Sequence, residues 1–121
     1  MKLIIAGSRT FEPSLTFITQ CIKLHKIVNI TQVVSGHANG VDSAGEHFAS
    51  HYAGDLRTFL PNWDEHGKAA GPIRNREMAN YADALLLIWD GESKGSASMK
   101  REMLHLNKPV YEVILKSYNV S

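Results

Sequence analysis

Four short segments of this chain combine glycine with hydroxyl, amide or guanidinium donors: Gly7-Ser8-Arg9, Ser35 to Asp42, Gly71 to Arg76, and Asp90 to Ser96. Glycine lets backbone N–H groups approach a ligand closely, and an arginine fork matches the oxygens of a phosphate or carboxylate. Arg74-Asn75-Arg76 carries the strongest charge signal. Two cations at the head of a helix oppose its dipole, so their presence there points to an external anion. Gly95-Ser96 offers N–H groups and a hydroxyl beside Lys94, without the spacing of a nucleotide-hydrolysing phosphate loop. Asp42 falls in the first turn of a predicted helix, where a carboxylate either caps the turn or meets a ligand. Asn39, between Gly36 and Gly40, either bonds a ribose or base edge or holds its turn. Trp63, between Asn62 and Asp64, either stacks on a base or covers the core. His37 is a weak acid–base candidate in the same loop as Asn39.

The elements that must position these segments follow from hydrophobic patterning. Leu3 to Ala6 is a short apolar run closed by Gly7, as in a strand buried on both faces. Gln32 to Val34, Leu56 to Leu60, Ala84 to Trp89 and Pro109 to Leu115 read as four further strands. Between them lie helical stretches: from Pro13 to about Ile27, Val41 to Tyr52 with Gly54 as its stop, a helix opened by Pro72 and running through Tyr81, and Ala97 to Leu106. Asn62 to Lys68 reads as a polar loop, and Lys116 to Ser121 as a frayed tail. Alternating strands and helices predict one three-layer α/β domain over residues 1–121 with a five-stranded parallel sheet. The expected strand order, 3-2-1-4-5, puts the first and fourth strands side by side at the switch point, where loops at the carboxyl ends form a crevice. Three of the four glycine-bearing segments follow predicted strands and converge there.

The 121 residues carry 13 Lys and Arg against 12 Asp and Glu, a net charge of +1. That balance gives no global argument for a nucleic-acid or membrane partner. One cysteine, Cys21, cannot form an internal disulfide and favours a reducing compartment. Only four apolar residues follow Met1-Lys2, so no secretory signal is expected, and a cytoplasmic protein is. His47 and His51 share a helix face at i, i+4, but Glu46 precedes His47 and no third ligand stands out. Neither a metal nor a cofactor is expected.

The ordered set Ile4-Ile5-Ala6-Gly7-Ser8-Arg9 with Phe11, Val34-Ser35-Gly36-x-Ala38-x-Gly40-Val41-Asp42, Pro61-Asn62-Trp63, Lys68 to Pro72 with Arg74-Asn75 and Met78, Ala82-Asp83, and Trp89-Asp90-Gly91-x-Ser93-x-Gly95-Ser96 resembles the YspA/YpsA-related branch of the SLOG superfamily, from about Leu3 to Val113. The resemblance implies a Rossmann-like fold and a nucleotide or nucleotide-derived ligand. That superfamily includes the LOG phosphoribohydrolases, which split the N-glycosidic bond of nucleoside monophosphates, the DNA-binding DprA/Smf proteins, and nucleotide-signal sensors. LOG enzymes carry P-G-G-x-G-T-x-x-E and an upstream R-K-x-x-M. Arg74 and Met78 match the second pattern, and Ser96 stands at the threonine of the first. Met99 stands at its glutamate, so the remaining loop carboxylates, Asp42 and Glu92, together with Arg74, are the catalytic candidates. The expected ligand-binding set is Gly7, Ser8, Arg9, Gly36, Asn39, Gly40, Trp63, Arg74, Asn75, Gly91, Ser93, Gly95 and Ser96. Three functions follow as expectations. The first is nucleotide binding, with hydrolysis of the ligand's N-glycosidic bond if the site is catalytic. The second is non-catalytic sensing or sequestration of a nucleotide signal, and the third single-stranded nucleic-acid binding. The resemblance further implies a homodimer or higher homo-oligomer.

Overall fold

The computed structural model describes residues 1–116; the predicted frayed tail lies outside that range beyond Lys116. Five strands, β1 (Lys2–Gly7), β2 (Gln32–Ser35), β3 (Leu56–Thr58), β4 (Ala84–Trp89) and β5 (Val110–Ile114), form one sheet in the order β3-β2-β1-β4-β5. Every pairing is parallel. The expected topology is therefore the observed one, a Rossmann-like three-layer domain. Its switch point lies between β1 and β4, paired from Leu3–Ala84 to Gly7–Ile88.

The strands are short and apolar because both faces are covered. All six residues of β4 are buried, and its side chains alternate between two cores. Ala84, Leu86 and Ile88 pack with Ile18 and Cys21 of α1 (Leu15–Leu24) and with Ala44 and Phe48 of α2 (Val41–Phe48). Leu85, Leu87 and Trp89 face Met78 and Ala79 of α4 (Ala70–Tyr81) and Met99 and Met103 of α5 (Lys94–His105). Among the described residues, no helix is long and apolar enough to cross a membrane.

Local chemistry moves several boundaries from their predicted places. The α1 helix begins at Leu15 because Ser14 caps it, accepting from the Phe17 N–H at 3.1 Å, so Pro13 precedes the helix instead of opening it. Beyond Phe48 the helix widens into a π-turn over Ala49–Ala53, stopped by Gly54 in the left-handed conformation. The predicted polar loop after β3 holds a short helix, α3 (Trp63–His66), capped by the Asn62 side chain, and a 3₁₀ turn over Gly67–Ala69. The α4 helix starts at Ala70, two residues ahead of Pro72. Proline is tolerated there because first-turn N–H groups have no intrahelical acceptor. The α5 helix starts at Lys94, one turn before the expected Ala97.

Candidate functional site

The loops after β1, β2 and β4 converge with the side of α4 around one cleft of about 420 Å³. Its wall includes Gly7, Ser8, Arg9, Gly36, Asp42, Arg74, Asn75, Ser93, Gly95 and Ser96. Arg9, Arg74 and Ser96, 87 residues apart at the extremes in sequence, thus share a single cavity.

Two glycines let the β1 loop reach it. A Cβ at Gly7 would lie 1.8 Å from the Ile88 carbonyl oxygen, so only glycine lets β1 turn this tightly against β4. The Ser8 N–H then donates to that same oxygen at 2.9 Å. The Ser8 carbonyl accepts from the Val41 N–H at 2.9 Å, docking the loop on the head of α2. Gly40 makes the approach feasible: its φ is 73°, and a Cβ there would stand 2.2 Å from the Ser8 carbonyl oxygen. Arg9 is left exposed at the rim.

Asp42 and Arg74 face each other across Gly36. The Arg74 guanidinium donates through Nη1 to the Gly36 carbonyl at 2.7 Å and through Nε to Asn75 Oδ1 at 3.1 Å. Those bonds fix its plane while leaving other N–H groups free for a ligand. Asp42 is 6% exposed, and its Oδ2 accepts a long 3.4 Å bond from the Ala38 N–H. Burial pushes the Asp42 carboxyl above its ordinary value, against the opposing pull of the Ala38 N–H and of Arg74. Burial likewise lowers the Arg74 guanidinium, which Asp42 counteracts; an arginine remains charged regardless. A Cβ on Gly36 would sit 2.8 Å from Arg74 Nη1 and 3.0 Å from Asp42 Oδ2, so a side chain there would displace both groups.

The raised Asp42 carboxyl makes a stability prediction. Above the ordinary carboxylate range the folded chain holds a proton that the unfolded chain has lost, so stability falls as pH rises through that window. Asp42→Asn removes the desolvated charge while keeping the shape. Urea unfolding is expected to show the variant more stable than the parent at pH 7, with the difference vanishing near pH 3.

The third wall is the head of α5. The Asp90 carboxylate accepts from the Glu92 and Ser93 N–H groups at 2.9 and 3.0 Å, bonds that hold its pKa below the ordinary value and shape the loop. The α5 N-terminus has no side-chain cap and no acid in its first turn. Ser96, 7% exposed and lining the cleft, has no protein partner for its hydroxyl among the described residues. Asn75 Nδ2 donates to the Gly95 carbonyl at 3.4 Å and to Ser98 Oγ at 3.3 Å, tying α4 to this loop.

Other candidates lie elsewhere. Arg74 and Arg76 both sit in the second turn of α4, not at its head, and Arg76 pairs with Glu102 at 3.1 Å instead of Glu77. Trp63 is half exposed and lines a separate depression with Leu60, Pro61, Asn62 and Asp64. Asn39, Gly40, Gly91 and Glu92 are outside the cleft wall. His37 reaches Glu46 Oε2 at 2.9 Å, and the same oxygen accepts from Ser35 Oγ at 2.8 Å. This clasp braces the β2 loop and is not a serine–histidine–acid relay, because the acid sits between the other two. Thr10, Ala38 and Asp90 line the cleft outside the expected ligand-binding set; Ala38 and Asp90 stand in the quoted family motifs, and Asp90 carries a further signal as an Asx residue directly after the most apolar strand. Met99 lines the cleft and is 2% exposed. Among the described residues, no group of three His, Cys, Asp or Glu side chains is placed to hold a metal.

These features define a Rossmann-like α/β domain with a polar cleft at the carboxyl ends of its switch-point strands. No family profile matches the chain, and neither does any solved structure. It is 30% identical over 116 residues to the Gene 61 protein of Mycobacterium phage D29, an alignment covering 90% of this chain and 93% of that protein. The chain belongs to the family of that phage protein.

Proposed function

We propose that the cleft binds a nucleotide or nucleotide-derived ligand by its phosphate. The observation that carries this reading is the convergence of Arg9, Arg74 and the uncapped head of α5, with the unpartnered Ser96 hydroxyl, on one cavity. A helix N-terminus and forked guanidinium groups together favour a phosphoryl group over a single-charge carboxylate. The cavity volume, about 420 Å³, suits a mononucleotide. The resemblance to SLOG proteins supports the same ligand class and extends the reading to a homo-oligomer, while the single cysteine, Cys21, supports a cytoplasmic location.

Binding without turnover is the second reading, and Met99 favours it: the LOG glutamate position is an apolar side chain in the cleft wall. Hydrolysis of the N-glycosidic bond would instead rest on Asp42, whose carboxylate could stabilise an oxocarbenium-like transition state. Isothermal titration with a panel of nucleoside monophosphates and NAD-derived nucleotides, followed by chromatography of the recovered ligand, tests both readings. Binding with the ligand intact supports a sensor, and free base in the eluate supports a hydrolase. No heat and no thermal shift with any member refutes the nucleotide reading.

A further inference from the structure

Asp42 and Arg74 are neighbours that do not pair. Asp42 Oδ2 and Arg74 Nη1 lie within 3.0 Å of one common point above Gly36, so less than about 6 Å separates them. No ion pair within 4.0 Å joins them among the described residues. Both line the cleft. Asp42 keeps acceptor capacity, since a carboxylate offers about four acceptor sites and the backbone N–H groups of Ala38, Gly7 and Gly36 are the donors directed at it. Arg74 keeps N–H groups beyond the two already bonded.

A group spanning such a gap must donate to the carboxylate and accept from the guanidinium at once. An ionised phosphate oxygen only accepts, and the buried carboxylate repels it. An ammonium only donates, and Arg74 repels it. An alcohol hydroxyl does both, and two bonds near 2.8 Å span a gap of between 4 and about 6 Å, the range these limits allow. The anionic part of the ligand then belongs at Arg9, the α5 head and the remaining N–H groups of Arg74, away from the Asp42 carboxylate. Building on the nucleotide reading, we infer that the space between Asp42 and Arg74 receives a ribose hydroxyl, making Asp42 the residue that selects ribonucleotides over analogues lacking the 2′ and 3′ hydroxyls.

The test is calorimetric titration of the intact chain with the four ribonucleoside monophosphates and their 2′,3′-dideoxy counterparts. Loss of a hydrogen bond to a charged group predicts roughly ten- to hundredfold weaker binding of the dideoxy form. In Asp42→Asn, which keeps the side-chain shape, that discrimination is expected to shrink to within about threefold. Equal affinity of the wild-type protein for both sugar types overturns the inference and leaves the nucleotide reading standing. Discrimination that survives intact in Asp42→Asn also overturns it, by assigning selection to another group. Absence of binding to either series refutes the nucleotide reading itself, and the inference falls with it. The wild-type comparison needs no variant, so a folding defect in Asp42→Asn cannot mask the result.

Discussion

Arg74→Ala is expected to weaken nucleoside monophosphate binding by roughly 2–3 kcal/mol, a rise in Kd of about thirty- to 150-fold. The guanidinium is held in place before any ligand arrives, by the Gly36 carbonyl on one side and Asn75 Oδ1 on the other. Little side-chain entropy therefore opposes binding, and most of the charge-assisted bond is realised. Arg74→Lys should not rescue the loss, because a compact ammonium lacks the planar fork that meets both protein acceptors and a phosphate in their separate directions. The alanine variant will also lose stability, since the buried Gly36 carbonyl loses its donor and Asp42 loses the nearby cation. Adding Asp42→Asn should recover part of that stability but none of the phosphate affinity. Calorimetry and urea titration on the same three proteins separate the two effects. Unchanged affinity in Arg74→Ala would remove this residue from the site.

Gly7→Ala is expected to be the most damaging single-methyl addition, costing roughly 3–5 kcal/mol. The added carbon would overlap the Ile88 carbonyl oxygen at 1.8 Å, and that oxygen belongs to β4, the fully buried strand next to β1. Neither partner can step aside as the end of a flexible side chain could. Relief requires prising apart the β1–β4 register from Gly7–Ile88 backward, which also unseats Ser8 from the head of α2. Denaturant unfolding of the variant beside Gly95→Ala is an internal comparison, because a Cβ at Gly95 meets nothing within 4 Å. Equal stabilities for the two would contradict the close packing at the switch point.

The sheet was legible in the sequence because its strands are short apolar runs closed by turn residues. Ala84 to Trp89 is the clearest, and its observed limits match. Helix limits were less legible where the first turn uses poor helix formers. Gly95 and Ser96 read as loop, yet tertiary contact winds them into α5. Ala70 and Gly71 enter α4 ahead of Pro72 for the same reason. Within the site, residue types marked Arg9, Arg74 and Ser96 as donors to an anion. The partner of Arg74 could not be read, because Gly36 lies 38 positions away and contributes only a backbone carbonyl. Asp42 was ambiguous for a different reason: a helix-first-turn carboxylate looks the same in sequence whether it is solvated or enclosed. The structure encloses it. Trp63 was drawn toward the ligand by its aromatic ring, but α3 turns it onto another surface depression.

The cleft wall draws on residues from Ala6 to Met99, and no single stretch of chain encloses it. A fragment ending before β4 would retain two of the loops and α4 but lose the sheet neighbour of β1 and the α5 wall. Occupancy must therefore be linked to cooperative assembly of the entire sheet, not to the ordering of one flap. Bound nucleotide should slow amide hydrogen exchange in β1, β2 and β4 alike, by the factor that mass action sets from ligand concentration over Kd. Protection confined to one loop would reveal a subdomain able to open independently.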